Sequence, residues 1–227
     1  MAPRVPAPRR PRRSQSSQAA LPTKVFSIVD RDSDQRATEV PPRYQWPVYR
    51  IENFLISDDH IFKALQIFES TRNHYRTPDE VAVALLAAAR AVLPGLVSRR
   101  LQKFANDKIT SCIRLKFRPD QPDAPKPLHD SLEESVARVR LMASTELTLD
   151  ALKVAQDAET KRLTAALADG SWRAEFPGRE VLKQFVAKLP SPSINYSSLR
   201  DLVRREMADA GYKPAGMAEV IEAVLRG

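Results

Sequence analysis

The sequence predicts a mainly α protein: a helical bundle with at most one or two short strands and a disordered basic N-terminal arm. Three observations carry this. Apolar residues recur at helical spacing over most of the chain after Ser57. Only six glycines occur, none adjacent to another, while prolines cluster between the periodic stretches. The first 24 residues hold six cations and no acid. With 227 residues, of which 43% are hydrophobic, the chain is long enough for one domain with a proper core.

Residues 1–24 are expected to be extended and solvated, because Pro3, Pro6, Pro8 and Pro11 forbid a continuous helix. Arg4, Arg9, Arg10, Arg12 and Arg13 fit a nucleic-acid arm. Three readings compete: an organellar transit peptide, a nuclear-localisation signal at RRPRR, and an untethered tail. Residues 25–56 are expected to form an extended strap. VFSIV reads as a short strand or an anchor, and Tyr44, Trp46, Tyr49 and Phe54 lie among prolines and arginines. Such a segment pins onto a core or contacts a neighbouring subunit, and its aromatics also suit base stacking.

Residues 57–170 are expected to form the helical core. Ser57 followed by Asp58 and Asp59 reads as a helix start. Thr77-Pro78-Asp79-Glu80 reads as a capping box with proline at the first helical position. The stripe Val81, Ala84, Leu85, Ala88, Val92 follows, and Pro94-Gly95 is expected to stop it. A short helix over 96–104 is expected next, carrying Arg99, Arg100 and Lys103. Residues 128–142 form another helix, and Ser144 or Thr145 is expected to cap a longer one ended by Gly170. Residues 171–227 are expected to be a C-terminal helical extension: a helix over 178–189, one capped by Ser197 or Ser198 and stopped by Gly211, and one over 215–225.

The densest basic stretch inside the body is 95–120, with seven cations against two acids. Its second half alternates, Ile109, Ser111, Ile113, Leu115 and Phe117 against Thr110, Cys112, Arg114, Lys116 and Arg118. Period two predicts a strand whose solvated face is a row of cations about 7 Å apart, a spacing that suits a phosphate chain. The plain alternative is a solvated charged face. Arm and basic stretch together outweigh the net charge of +8, so the rest of the chain is mildly acidic. Concentrated charge of this kind points to an anionic partner, nucleic acid before membrane.

No catalytic constellation is visible, and the chain is expected not to be an enzyme. There is no Walker loop or dinucleotide turn. His60, His74 and His129 lack ligand spacing, and Cys112 stands alone, so neither a metal nor another cofactor is expected. Glu133 and Glu134 are adjacent and diverge on a helix. No uninterrupted apolar run is long enough to span a bilayer, and no membrane partner is expected.

KFRPD at 116–120, TLDALKVAQDAETKRLTAAL at 148–167 and INYSSLRD at 194–201 resemble segments of the coat proteins of rod-shaped plant RNA viruses, the tobacco mosaic virus type. The resemblance covers about a third of the chain, in pieces. It implies a four-helix bundle with RNA at the inner radius of a helical rod. In that family arginines just after Thr-Leu-Asp-Ala lie against the RNA; this chain departs from the pattern with Lys153 followed by Val154. The expectation is a coat- or nucleocapsid-like packaging protein that binds RNA (more readily than DNA) through its backbone and assembles with copies of itself. Its place would be the virion or host cytoplasm. The alternative is a non-viral basic nucleic-acid-binding protein of an organelle matrix or nucleus, such as a ribosomal component or a plasmid or chromosome maintenance factor.

Overall fold

Apolar side chains at 81, 85, 88, 92 and 96 keep helical spacing straight through Pro94, and the chain stays helical with them. The protein is known here from a computed structural model, which describes residues 27–31, 43–72, 74–115, 124–191 and 193–226, the side chains of Arg43 and Glu69 excepted. Among these residues it is mainly α, with nine helices and one two-stranded sheet. The expected arm, with Arg4, Arg9, Arg10, Arg12 and Arg13, lies outside the described residues, as do Lys116 and Arg118.

The strap contributes β1 (Ser27–Val29) and β2 (Arg43–Gln45), paired in parallel with Ile28 opposite Tyr44, and then a 3-10 turn, Ile51–Leu55. Tyr44, Trp46 and Phe54 bury against Val220 near the C-terminus. Asn53 ties the strap to the body. Its Nδ2 donates to the carbonyls of Arg173 (2.8 Å) and Phe176 (2.6 Å). Its Oδ1 accepts from the backbone N–H groups of Gly178 (3.1 Å) and Arg50 (3.2 Å). A buried amide with all these partners costs little, and losing it would orphan backbone groups. Gly178 is required by the same contact, since a Cβ there would stand 2.9 Å from the backbone of Asn53.

α1 (Asp58–Gln66) starts at Ser57 as expected, and α2 (Glu69–Arg72) is a single turn. α3 (Pro78–Cys112) is the central element. Thr77 caps it by accepting from the N–H of Glu80, while the Glu80 carboxylate accepts from the N–H of Arg76. The expected stop at Pro94-Gly95 does not occur. Pro94 cannot donate, but it faces solvent, so the carbonyl it leaves unpaired one turn earlier is not forced into the core. The helix over 96–104 and the first part of the expected strand are therefore one continuous helix with the stripe before them. Ile109–Cys112 are helical, Ile113 is extended, and 114–115 are the last described residues before 124. Joined in this way, α3 is long and apolar enough to cross a membrane by length and composition, which the sequence reading missed; its inward residues are taken up by protein.

α4 (Pro125–Thr145) begins three residues earlier than expected, with prolines in its first turn. α5 (Leu149–Asp169) is capped by Thr148, which accepts from the N–H of Ala151. Ser144 and Thr145 instead close α4, bonding back to the carbonyl of Leu141. Gly170 ends α5 in the left-handed region at φ 85°. α6 (Trp172–Glu175), α7 (Gly178–Val186), α8 (Tyr196–Asp209) and α9 (Met217–Arg226) follow. The cap of α8 is Asn195, with Ser198 as its reciprocal partner.

One core takes in α1, the first half of α3, the end of α5, and α6 to α8; Leu85, Leu163, Phe176, Leu182, Phe185 and Leu199 are nearly or fully buried in it. The expected boundary at 170/171 does not divide this core. The remainder, the second half of α3 with α4 and the start of α5, forms a second tier with few buried residues.

Candidate nucleic-acid interface

Of the cations singled out in the sequence, the described ones, Arg99, Arg100, Lys103, Arg114 and Lys153, do not form one row. Arg99 and Lys103 share a face of α3. Arg99 is exposed, while Lys103 meets Asp107 at 3.2 Å. Arg100 points into the protein, with only 12% of its side chain exposed. Its Nη1 donates to Glu159 at 2.7 Å and its Nη2 to the carbonyl of Glu175 at 3.1 Å. Arg162 joins the same cluster through Glu159 (3.0 Å) and a short contact to Glu175. Burial pushes the Glu159 carboxyl up, but the hydrogen bond from Arg162 and the charges of Arg100 and Arg162 outweigh it and hold the group below the ordinary carboxylate range. Arg100 is thus a structural cation rather than a surface phosphate contact.

Arg114 is exposed, and its backbone anchors α4. Its carbonyl accepts from Ser131 Oγ at 3.0 Å, and its N–H donates to Ser135 Oγ at 3.2 Å. Lys153 is exposed on α5, in the second tier. No bond or ion pair among the described residues links Arg99, Arg114 and Lys153.

A different set of residues converges. An open groove of about 600 Å³ lies between the 3-10 turn, α8 and the loop leading to α9. Its floor is apolar, with Leu55, Met207 and Met217, and its walls carry Arg179, Arg200, Arg204, Tyr196 and Tyr212 against a single acid, Glu52. The row arises from α8: Tyr196, Arg200, Arg204 and Ala208 follow at four-residue spacing, so they share a face while Leu199, Val203 and Met207 bury the other. Arg179, from the first turn of α7, lies 5.7 Å from the Tyr196 ring. Tyr212 follows Gly211, whose φ of 61° turns the chain back, and its ring sits 4.5 Å from the buried His60. His60 is held in turn by Ser57 Oγ at 2.8 Å from Nδ1.

Arg200 and Arg204 share one acid, Asp201, at 2.8 and 4.0 Å, so the pair is only half neutralised. Burial, followed by the charge of Glu52, pushes the Tyr196 hydroxyl above its ordinary value, so it is a neutral donor at physiological pH. Flat rings on an apolar floor with guanidinium groups along the rim suit bases and phosphates together. The sequence reading weighed charge density and passed over α8, where acids dilute the arginines. The four-residue row from Tyr196 was the signal available; Arg179 and Tyr212 reach the groove only through the fold.

Among the described residues no group of three or more His, Cys, Asp or Glu could hold a metal ion. No protein-family model, curated protein or solved structure matches the chain.

Proposed function

We propose that the chain is a structural nucleic-acid-packaging protein, coat- or nucleocapsid-like, that binds single-stranded RNA without reading its sequence and assembles with copies of itself. The observation that carries the reading is the arginine and tyrosine groove along α8. Every base offers a π-face to a tyrosine, and every nucleotide offers a phosphate to an arginine, so such a groove is tolerant of sequence. The arginine-rich first 24 residues add a second source of affinity through their charge. The resemblance to rod-virus coat proteins favours a rod or filament as the assembly, in a virion or host cytoplasm.

The test is RNA affinity over a salt series, measured for the intact chain and for an Arg179→Ala/Arg200→Ala/Arg204→Ala triple variant. The three side chains line an open groove, so the variant should keep its circular dichroism. The intact chain should lose affinity steeply with salt, with a log–log slope of roughly 0.7 per phosphate held, and the variant's slope should be shallower by about 2. An unchanged slope and affinity would remove the groove from the RNA interface. Filaments formed with RNA support the packaging reading; single particles at saturating RNA support a non-viral binding protein instead.

A further inference from the structure

α4 is an amphipathic helix without an apolar burial of its own. Across its 21 residues the buried side chains are Ser131 and Ser135, and α3 is the element it packs on. Leu132 and Val136, one turn apart on the outer side, are each 43% exposed. Helices in water are normally positioned by an apolar stripe against a partner, and here the stripe faces outward.

The charges beside that stripe are self-complementary. Glu134 and Arg138 satisfy one another along the helix at 3.4 Å. Glu133 and Arg140 are both exposed, and neither forms an ion pair among the described residues. They stand seven residues apart, so they share a face to within about 20° and are separated by about 10 Å along the axis. Val136 and Ala137 lie midway between them. Turning a second copy of α4 end for end about that midpoint puts Glu133 of each helix opposite Arg140 of the other. The same rotation brings Val136 and Ala137 of the two copies together in the centre, with Leu132 at the rim of the contact. One acid before the midpoint and one base after it are what a two-fold, isologous contact requires.

We propose that α4 is a homodimer interface: two copies pair their α4 helices antiparallel, with reciprocal Glu133–Arg140 ion pairs around an apolar centre at Val136 and Ala137 and with Leu132 at its rim. This rests on the self-association in the proposed function and assigns it a surface. A parallel pairing would set Glu133 against Glu133 and Arg140 against Arg140, so the charges also select the orientation.

The experiment is sedimentation velocity of the intact chain over a concentration series, with and without RNA, for wild type, Glu133→Arg, Arg140→Glu and an equimolar mixture of the two variants. Wild type should dimerise. Each variant alone places like charges at both contacts and should weaken the dimer by about tenfold or more. The mixture should recover it, because a heterodimer of the two variants restores one attractive pair at each contact. Both positions are exposed, so each variant should keep the wild-type melting curve, which is recorded alongside. Dimers that persist in both single variants would place the contact on another surface and overturn the proposal while self-association stands. Loss of the dimer without recovery in the mixture would mean that Glu133 and Arg140 do not face one another across two copies, and would overturn the antiparallel pairing equally. A wild-type chain that stays monomeric under every condition would remove the self-association reading itself. RNA affinity through the groove on α8 should be the same in all four samples, which keeps the two proposals separable.

Discussion

α3 and α5 each run through both tiers of the molecule, and the same helix behaves differently at its two ends. In its first twenty residues α3 buries Val81, Leu85, Ala88, Ala89, Val92, Leu96 and Val97; in its last fifteen it buries only Cys112. α5 buries Leu163, Ala166 and Leu167 near its end and no residue in its first half. In the body, apolar area removed from water holds the helices. In the second tier the work passes to polar contacts: Arg138 holds the carbonyl of Cys112 at the end of α3, Ser131 and Ser135 hold the backbone of Arg114 just beyond it, and Lys108 meets Glu146. Apolar burial contributes about 25 cal/mol per Å² and does not depend on direction, whereas a hydrogen bond nets only about 1 kcal/mol and must be aligned. The second tier should therefore be the less stable part, and its exposed apolar residues are where the proposed α4 contact is placed.

The sharpest way to break the contrast is in the body. Phe176 is fully buried where α6 leads into α7, with its ring set edge-on to Trp172. Phe176→Ala should cost about 3–5 kcal/mol through lost burial and the cavity left behind. Denaturant unfolding would show the midpoint falling with an unchanged slope. A loss under 1 kcal/mol would mean that the site collapses freely and that the body is no better packed than the second tier.

The next prediction separates the tiers. Arg138 Nε donates to the carbonyl of Cys112 at 3.0 Å and Nη2 donates to Ser135 Oγ at 2.9 Å. Arg138→Ala should lower the opening free energy of α4 by about 1–3 kcal/mol, as hydrogen bonds to charged groups do. Amide exchange would show this as lost protection confined to α4 and the end of α3, with global unfolding moved by no more than about 0.5 kcal/mol. Protection lost evenly across the chain would show that the tiers unfold as one.

Legibility in the sequence follows the same division. Where burial decides, pattern was enough: the helix starts at Ser57 and Thr77, the stops at Gly170 and Gly211, and the inward stripe of α8 were readable, because period and punctuation agree there. Where burial is thin, local signals misled. Ile109, Ile113 and Leu115 alternate like a strand, yet Ile109 and Cys112 also fit a helix, and the α3 stripe already running through Pro94 carried the helix on. Arg100 read as one more surface cation because the acids that neutralise it, Glu159 and Glu175, lie 59 and 75 residues further on. The groove was missed for the same reason, since α7, α8 and the turn at Gly211 bring its cations and rings together only in three dimensions.

The smallest effect belongs to the junction between the tiers. Glu159 sits on α5 between Arg100 of α3 and Arg162 of its own helix. Its carboxyl is held below the ordinary value in the folded chain, so protonation favours the unfolded state. For a depressed carboxyl the contribution is fully present above the unfolded pKa of about 4.3 and fades as pH falls through the lower folded value. Stability should therefore be flat near neutrality and should decline in acid. Glu159→Gln keeps the shape and removes the charge. It should lower stability slightly at neutral pH, because Arg100 is left buried without its 2.7 Å partner, and it should flatten the acid decline. Thermal melts of the two proteins across an acid series would show their curves converging as pH drops. Curves that stay parallel down to the lowest pH would place the acid-sensitive carboxylate elsewhere.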